Sequence, residues 1–382
     1  MEREMVYRTA RDLKRKNPVD ATLPVIVVLL LQCGLLTLFS ATFYKAVCTT
    51  GDSLLEVKKQ LIGIGLGAVL MYITSRIPYH FWQQPKVVIL GLFASFVLLV
   101  LVVIPGIGVY LNGSRRWLNI AGMSFQPSEL AKIASVLYLA STLSYRWKQV
   151  EKFWTGIVPL LIVPALMFLI ILQQPNLSTA GSIMIVAVLM MLVAGAKWRH
   201  LGLMGAGGLV VGFIYAWIEP YRRERLLSFR DPFAQMGDEG YQLAQSLIAI
   251  GSGGLFGRGL GQGRQKYAYL PYPESDFIFA IVGEDFGLFG CCVVILLFLA
   301  FAFAGMRIAL NAPDRYGCLL AAGITCSITV QAFLNMGVVP GLLPTTGLPL
   351  PFFSAGGTSL SITMAAVGIV LNVSRAETSH RM

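Results

Sequence analysis

Between Tyr241 and Gly287 the chain reads YQLAQSLIAIGSGGLFGRGLGQGRQKYAYLPYPESDFIFAIVGEDFG, with apolar stretches on both sides. Arg258, Arg264, Lys266, Glu274, Asp276, Glu284 and Asp285 stand there among glycines, prolines and aromatics. Ionisable groups beside or inside a membrane are costly and gather where they serve a function, so chemistry is expected here first. Asp276 comes just before an apolar helix, crowded by Pro271, Pro273, Glu274 and tyrosines. Desolvation at that point makes a carboxylate a better proton acceptor, which suits a general base. Ser275 and Asp276 also suit a helix N-cap, a role without catalytic content. The residues alone leave both readings open. Arg258, Arg264 and Lys266, with Arg115 upstream, sit among Gly and aromatics, a setting that favours anion binding. The acid-balanced group from Arg222 to Arg230 fits a solvated loop equally well. Glu284 and Asp285 follow Asp276 by eight and nine residues, about 12 Å deeper along a helix, where Glu284 needs a partner or a wet cavity.

Four further patches combine polar groups with turn residues: NGSRRW (112–117), QPSELAK (126–132), QPNLSTA (174–180, with Gln173 before it) and GLLPTTGLPLPFFSAGGTS (341–359). Glu129 and Lys132, at i and i+3, share one helix face and are close enough to pair. Such a pair serves packing specificity or faces a substrate, and the sequence does not choose. Pro127 fits a first helical turn after Gln126. No spacing of His, Cys, Asp or Glu demands a metal.

The elements that position these groups are hydrophobic. Of 382 residues, 56% are hydrophobic and 13% charged, and the apolar runs approach the roughly 20 residues that cross a bilayer as helix. An all-α polytopic bundle of ten spans in one domain (1–382) is predicted, with a basic cytoplasmic N-terminus (1–21) and a large extracytoplasmic loop (219–275) between spans seven and eight. The first run, Thr22 to Phe43, is too long for a signal-peptide core and is read as a retained helix. Arg3, Arg8, Arg11, Lys14, Arg15 and Lys16 hold the N-terminus inside, and Arg375 and Arg381 hold the C-terminus inside. This distribution accounts for most of the +11 net charge, so no nucleic-acid partner is expected. The six cysteines lack metal spacing and read as packing residues.

In order, NGSRRW, QPSELAK, QPNLSTA, IGSGGLFGRGLGQGRQKYAYLP, SDFIFAIVGEDFG and GLLPTTGLPLPFFSAGGTS resemble the SEDS family (shape, elongation, division and sporulation) of FtsW, SpoVE and RodA over nearly the whole chain. GLGQGRQKYAYLP and FSAGGTS are more similar to the FtsW/SpoVE branch. The resemblance implies a peptidoglycan glycosyltransferase that polymerises lipid II on the outer face of the bacterial cytoplasmic membrane, with undecaprenyl diphosphate leaving. It implies a class B penicillin-binding protein as partner, with other divisome proteins and membrane lipids around it. Asp276 matches the essential outer-loop aspartate, Glu129 and Lys132 the polar pair of span four, and Trp117 with Arg115 or Arg116 the NGxxRW motif. Two positions depart: Asn176 replaces the usual acid of QPDLGTA, and PYPESDF lacks the histidine of PEAHTDF while keeping the aspartate.

The implied chemistry assigns Asp276 as base, with Arg258 and Arg264 first among the arginines for the diphosphate; Arg115, Arg116, Trp117, Glu129, Lys132, Lys266 and Glu274 complete the candidate substrate contacts. No cofactor is required, though a divalent cation (Mg or Mn) could share the charge. Two other classes of function are weighed: a lipid II flippase, which needs polar groups continuing through the bilayer, and a non-catalytic scaffold that activates a partner synthase.

Overall fold

The computed structural model describes residues 20–111, 114–120, 123–218, 223, 229–234, 240–267 and 269–376. The N-terminal basic cluster, Asn112 and Gly113 of NGSRRW, Glu219, Arg222, Glu224, Arg225, Asp238, Glu239 and Arg381 lie outside them. Eleven α-helices occur among the described residues: α1 (Thr22–Thr50), α2 (Leu55–Arg76), α3 (Pro85–Leu101), α4 (Pro127–Arg146), α5 (Val158–Leu172), α6 (Leu177–Val193), α7 (Trp198–Ile218), α8 (Tyr241–Gly253), α9 (Ile278–Leu310), α10 (Arg315–Val338) and α11 (Gly357–Arg375). The first apolar run, Thr22 to Phe43, lies on α1. Six helices are long and apolar enough to cross a membrane: α1, α2, α9, α10, α11 and the run from Phe153 through α5; α3 and α6 are shorter apolar helices. Ile62, Leu90, Phe93 and Phe303 are exposed on helix surfaces. Large apolar side chains on the outside are the inverse of a soluble protein and fit a multi-pass membrane protein.

The all-α expectation needs one correction. A three-stranded antiparallel sheet is formed by β1 (Gly108–Leu111), β2 (Ser114–Ile120) and β3 (Met123–Phe125), in the order β1-β2-β3. The region 219–275 also contains a helix, α8, which packs against the first part of α9.

Packing is set by polar stitches between apolar faces. The α2–α11 pair is held by Ser361 Oγ donating to Gly63 O at 2.9 Å and Thr74 Oγ1 donating to Ala365 O at 2.8 Å. At one end of the bundle, Arg307 at the close of α9 pairs with Asp20 before α1. Toward the other end, Lys45 of α1 pairs with Glu274 just ahead of α9, at 2.6 Å. The helices α1 and α9 therefore run antiparallel, and the segment before α9 lies at the same end as the close of α1.

Candidate active site

Arg116, Trp117, Gln126, Asp276 and Gln331 line one cavity of about 760 Å³. It lies where the N-terminal ends of α4, α8, α9 and α11 come together, since Gln126, Tyr241, Asp276 and Gly356 of its lining precede or begin those helices. At none of the four ends does the N-cap residue, Gln126, Gly240, Phe277 or Gly356, cap the helix with its own side chain. Their first N–H groups and the positive ends of their dipoles give this end of the bundle a preference for anions. Thr345, Thr346, Ser354, Ser359 and Thr363 add hydroxyl groups to the wall. Among the described lining residues Asp276 is the one acid and Arg116 the one arginine.

The N-cap position of α9 falls one residue past Asp276. Phe277 occupies the cap position of α9, without a side-chain cap. The backbone around Asp276 is instead tied to the 347–356 loop. Asn335 Nδ2 donates to Asp276 O at 2.6 Å and to Leu348 O at 2.7 Å, Ser354 Oγ donates to Ser275 O, and Ala355 N–H donates to Glu274 O at 2.8 Å. Gly347 adopts φ +69°, and a Cβ there would stand 3.7 Å from Asp276 Oδ2. Tyr272 and Phe352, both in the lining, hold φ values of 49° and 67°. Backbone strain of this kind costs of order 1–3 kcal/mol per residue and collects at functional sites.

A β-bulge delivers the arginine. Tyr110 pairs with Arg115 and Val109 with Trp117, so Arg116 is the extra residue of β2. In regular alternation Arg116 and Trp117 would face opposite sides; the bulge lets both reach the cavity. Arg116 Nε donates to Gln174 O at 3.0 Å, and its Nη2 donates to Pro175 O. Arg115 lies 5.6 Å from the Tyr110 ring and does not line the cavity.

Behind the lining, Glu129 and Lys132 pair at 2.8 Å, both buried. Lys132 also donates to Gln331 Oε1, and Gln331 Nε2 donates to Pro349 O at 2.8 Å. Gln331 thus links the buried pair to the cavity wall. Asn176 caps α6, its Oδ1 accepting from Thr179 N–H at 3.3 Å. Gln331 and Asn335 are not among the residues singled out from sequence. The signal was available, because two amides four residues apart in an apolar span are themselves unusual.

The glycine and arginine run does something else. After α8 it folds back against α9, where Glu284 and Asp285 are wholly buried. Glu284 Oε1 accepts the Arg264 N–H at 2.6 Å and the Gln265 N–H at 3.2 Å, while the Glu284 and Asp285 carbonyls accept the N–H groups of Arg258 and Gly259. Gly287, at φ +65°, breaks α9; a Cβ there would stand 2.4 Å from Gly257 N. The expected bilayer-depth carboxylate is therefore enclosed by protein. Arg258 and Arg264 are exposed on this loop and do not reach the Asp276 cavity. Lys266 pairs with Asp285 at 2.9 Å, and Glu274 pairs with Lys45. The structure thus places Arg116, Trp117 and Asp276 in one cavity with Glu129 and Lys132 behind it, and places Arg115, Arg258, Arg264, Lys266 and Glu274 elsewhere. Among the described residues, no three His, Cys, Asp or Glu side chains group as a metal site.

Residues 21–379 match the cell cycle protein family of FtsW, RodA and SpoVE. The chain belongs to this family. Stage V sporulation protein E of Bacillus subtilis is 43% identical over 365 residues, covering 94% of this chain and 98% of that protein. A probable peptidoglycan glycosyltransferase FtsW of Geobacter metallireducens is 40% identical, with 95% and 96% covered. Among solved structures, a chain from a peptidoglycan synthase complex that coordinates polymerization and crosslinking has a TM-score of 0.76 at 28% identity, covering 94% of this chain and 99% of that one. The rod shape determining protein RodA of Thermus thermophilus gives 0.67 at 28% identity, with 94% and 98% covered.

Proposed function

We propose that this FtsW/RodA/SpoVE-family protein is a peptidoglycan glycosyltransferase that polymerises lipid II in the Asp276 cavity, on the outer face of the cytoplasmic membrane. The observation that carries the reading is the convergence of one carboxylate, one arginine and an indole in a polar cavity ringed by uncapped helix N-termini. Asp276 takes the proton of the GlcNAc 4-hydroxyl as that oxygen bonds to the anomeric carbon of a second lipid-linked disaccharide. The bond from that carbon to the diphosphate oxygen breaks with inversion, and undecaprenyl diphosphate leaves. Arg116 and the helix N-termini offset the charge that develops on the diphosphate. Trp117 and the hydroxyl-rich wall contact the sugars. An open groove of about 550 Å³, lined by Val100, Ile104, Leu166 and Leu169 among others, takes a polyprenyl tail. Any divalent cation arrives on the diphosphate, since the cavity offers it one carboxylate. The bundle crosses the membrane ten times with both termini inside, a reading supported by Arg76, Lys86, Arg146, Lys148, Lys197, Arg315 and Arg375 at the opposite ends of the helices. A class B penicillin-binding protein supplies the transpeptidase.

Asp276→Asn tests the reading. The assay uses purified lipid II and the full-length chain with a transpeptidase-inactive partner, and scores glycan length on a gel. Polymer is expected from wild type and none from the variant, with the variant still folded and partner-bound. Full polymerisation by the variant contradicts the base assignment. Polymer made by the partner alone supports a scaffold, and lipid II movement across the bilayer without polymer from wild type supports a flippase.

A further inference from the structure

Lys266 and Asp285 are the most enclosed ion pair among the described residues, with side chains 3% and 0% exposed. Lys266 Nζ lies 2.9 Å from Asp285 Oδ1 and donates to Ser40 Oγ of α1 at 2.6 Å; Ser40 Oγ donates in turn to Asp285 Oδ2. The three side chains close a ring with no access to the cavity. Lys266 is therefore unable to meet a substrate anion, although its residue type invites that role.

The place of this ring in the chain is informative. Asp276 lies ten residues after Lys266 and nine before Asp285, so the pair shuts the base of a loop whose far end carries the proposed base. The far end is held from one side by Asn335 and Ser354. From the other side α1 holds it again: Lys45 pairs with Glu274 and lies 5.3 Å from the Tyr272 ring centre, and Tyr44 meets Tyr267 edge-on at 4.8 Å. Ser40, Tyr44 and Lys45 all lie toward the C-terminal end of α1, which therefore grips the loop at base and tip. We infer that Lys266, Asp285 and Ser40 are positioning residues that fix the height and direction of Asp276 in the cavity. This rests on the reading of Asp276 as the base. Misplacement of a reacting group by about 1 Å can cost on the order of 10²-fold in rate, and removing one partner of a buried pair leaves the other charge uncompensated.

The test uses the full-length chain with its transpeptidase-inactive partner, lipid II kinetics and amide hydrogen exchange. Lys266→Met and Asp285→Asn are each expected to lower kcat by about 10- to 100-fold, leave KM for lipid II within about twofold, and speed exchange in residues 269–277. The double variant removes both charges and is expected to recover to within about fivefold of wild type. Ser40→Ala keeps the ion pair and serves as the mild variant, with a loss of about three- to tenfold. A raised KM at unchanged kcat would make Lys266 a substrate contact and overturn the inference. A double variant no better than the worse single, or unchanged exchange in 269–277, overturns it as well. If Asp276→Asn keeps full turnover while Lys266→Met still loosens 269–277, the base reading falls and the clasp stands. If Asp276→Asn abolishes turnover and Lys266→Met changes neither readout, the clasp falls and the base reading stands.

Discussion

Two regions of this molecule gather charge within a few residues of each other, and they use it in opposite ways. Around Glu284 and Asp285 every buried carboxylate is matched inside the protein, by the Arg264 and Gln265 N–H groups or by Lys266 and Ser40. Around Asp276 the side chains open onto a cavity large enough for a ligand, and the N-cap residues of the surrounding helices do not cap them with their own side chains. Arginine and glycine content marks the first region as the anion site, yet its anion is the protein's own Glu284. Potential for an outside anion lies where capping is missing, not where basic residues are most frequent.

Substitutions can break or sharpen that contrast. Glu129→Gln leaves Lys132 buried without its carboxylate counter-charge. A loss of about 3–5 kcal/mol in stability is expected, measured by denaturation in detergent. A variant as stable and active as wild type would show that the pair does not balance Lys132. Glu284→Ala strands the Arg264 and Gln265 N–H groups and should cost about 1–3 kcal/mol. The fraction that folds should retain its KM for lipid II, because this carboxylate does not face the cavity. A change in KM would erase the distinction between the two regions.

Arg116→Lys keeps the charge but loses the fork that spans Gln174 O and Pro175 O. The kcat for lipid II polymerisation should fall about tenfold, near 1.4 kcal/mol, with a smaller rise in KM. Unchanged kinetics would remove Arg116 from the substrate contacts. The smallest effect is expected at Asn176. Asp there still caps α6 and adds a favourable charge at its N-terminus, so melting should shift by less than about 1 kcal/mol. A large loss of stability would show that position 176 cannot carry charge in this protein.

The helices were legible because apolar runs of span length have few other uses, and the Glu129–Lys132 pair followed from spacing alone. What was not legible depended on partners distant in sequence. The β2 segment lacks the apolar alternation that announces a strand, and the bulge that turns Arg116 inward exists only once Tyr110 and Val109 pair across from it. The depth of Glu284 along α9 was readable, but the return of the 254–267 loop over it was not. Asp276 keeps two readings in the sequence; the structure puts Phe277 at the N-cap of α9 and Asp276 in the cavity wall. Arg258 and Arg264 carry exposed side chains, and Glu284 is met by the backbone N–H of Arg264, a contact that residue type does not announce.

On the proposed function the chemistry belongs to the Asp276 cavity and not to the arginine-bearing glycine loop. Steady-state polymerisation of lipid II by Asp276→Asn, measured beside the double variant Arg258→Ala with Arg264→Ala, tests it most directly. A fall of about 10²–10⁴-fold in kcat is expected for Asp276→Asn at little-changed KM, with the double arginine variant within about threefold of wild type. Full turnover by Asp276→Asn together with collapse of turnover in the arginine variant would contradict it.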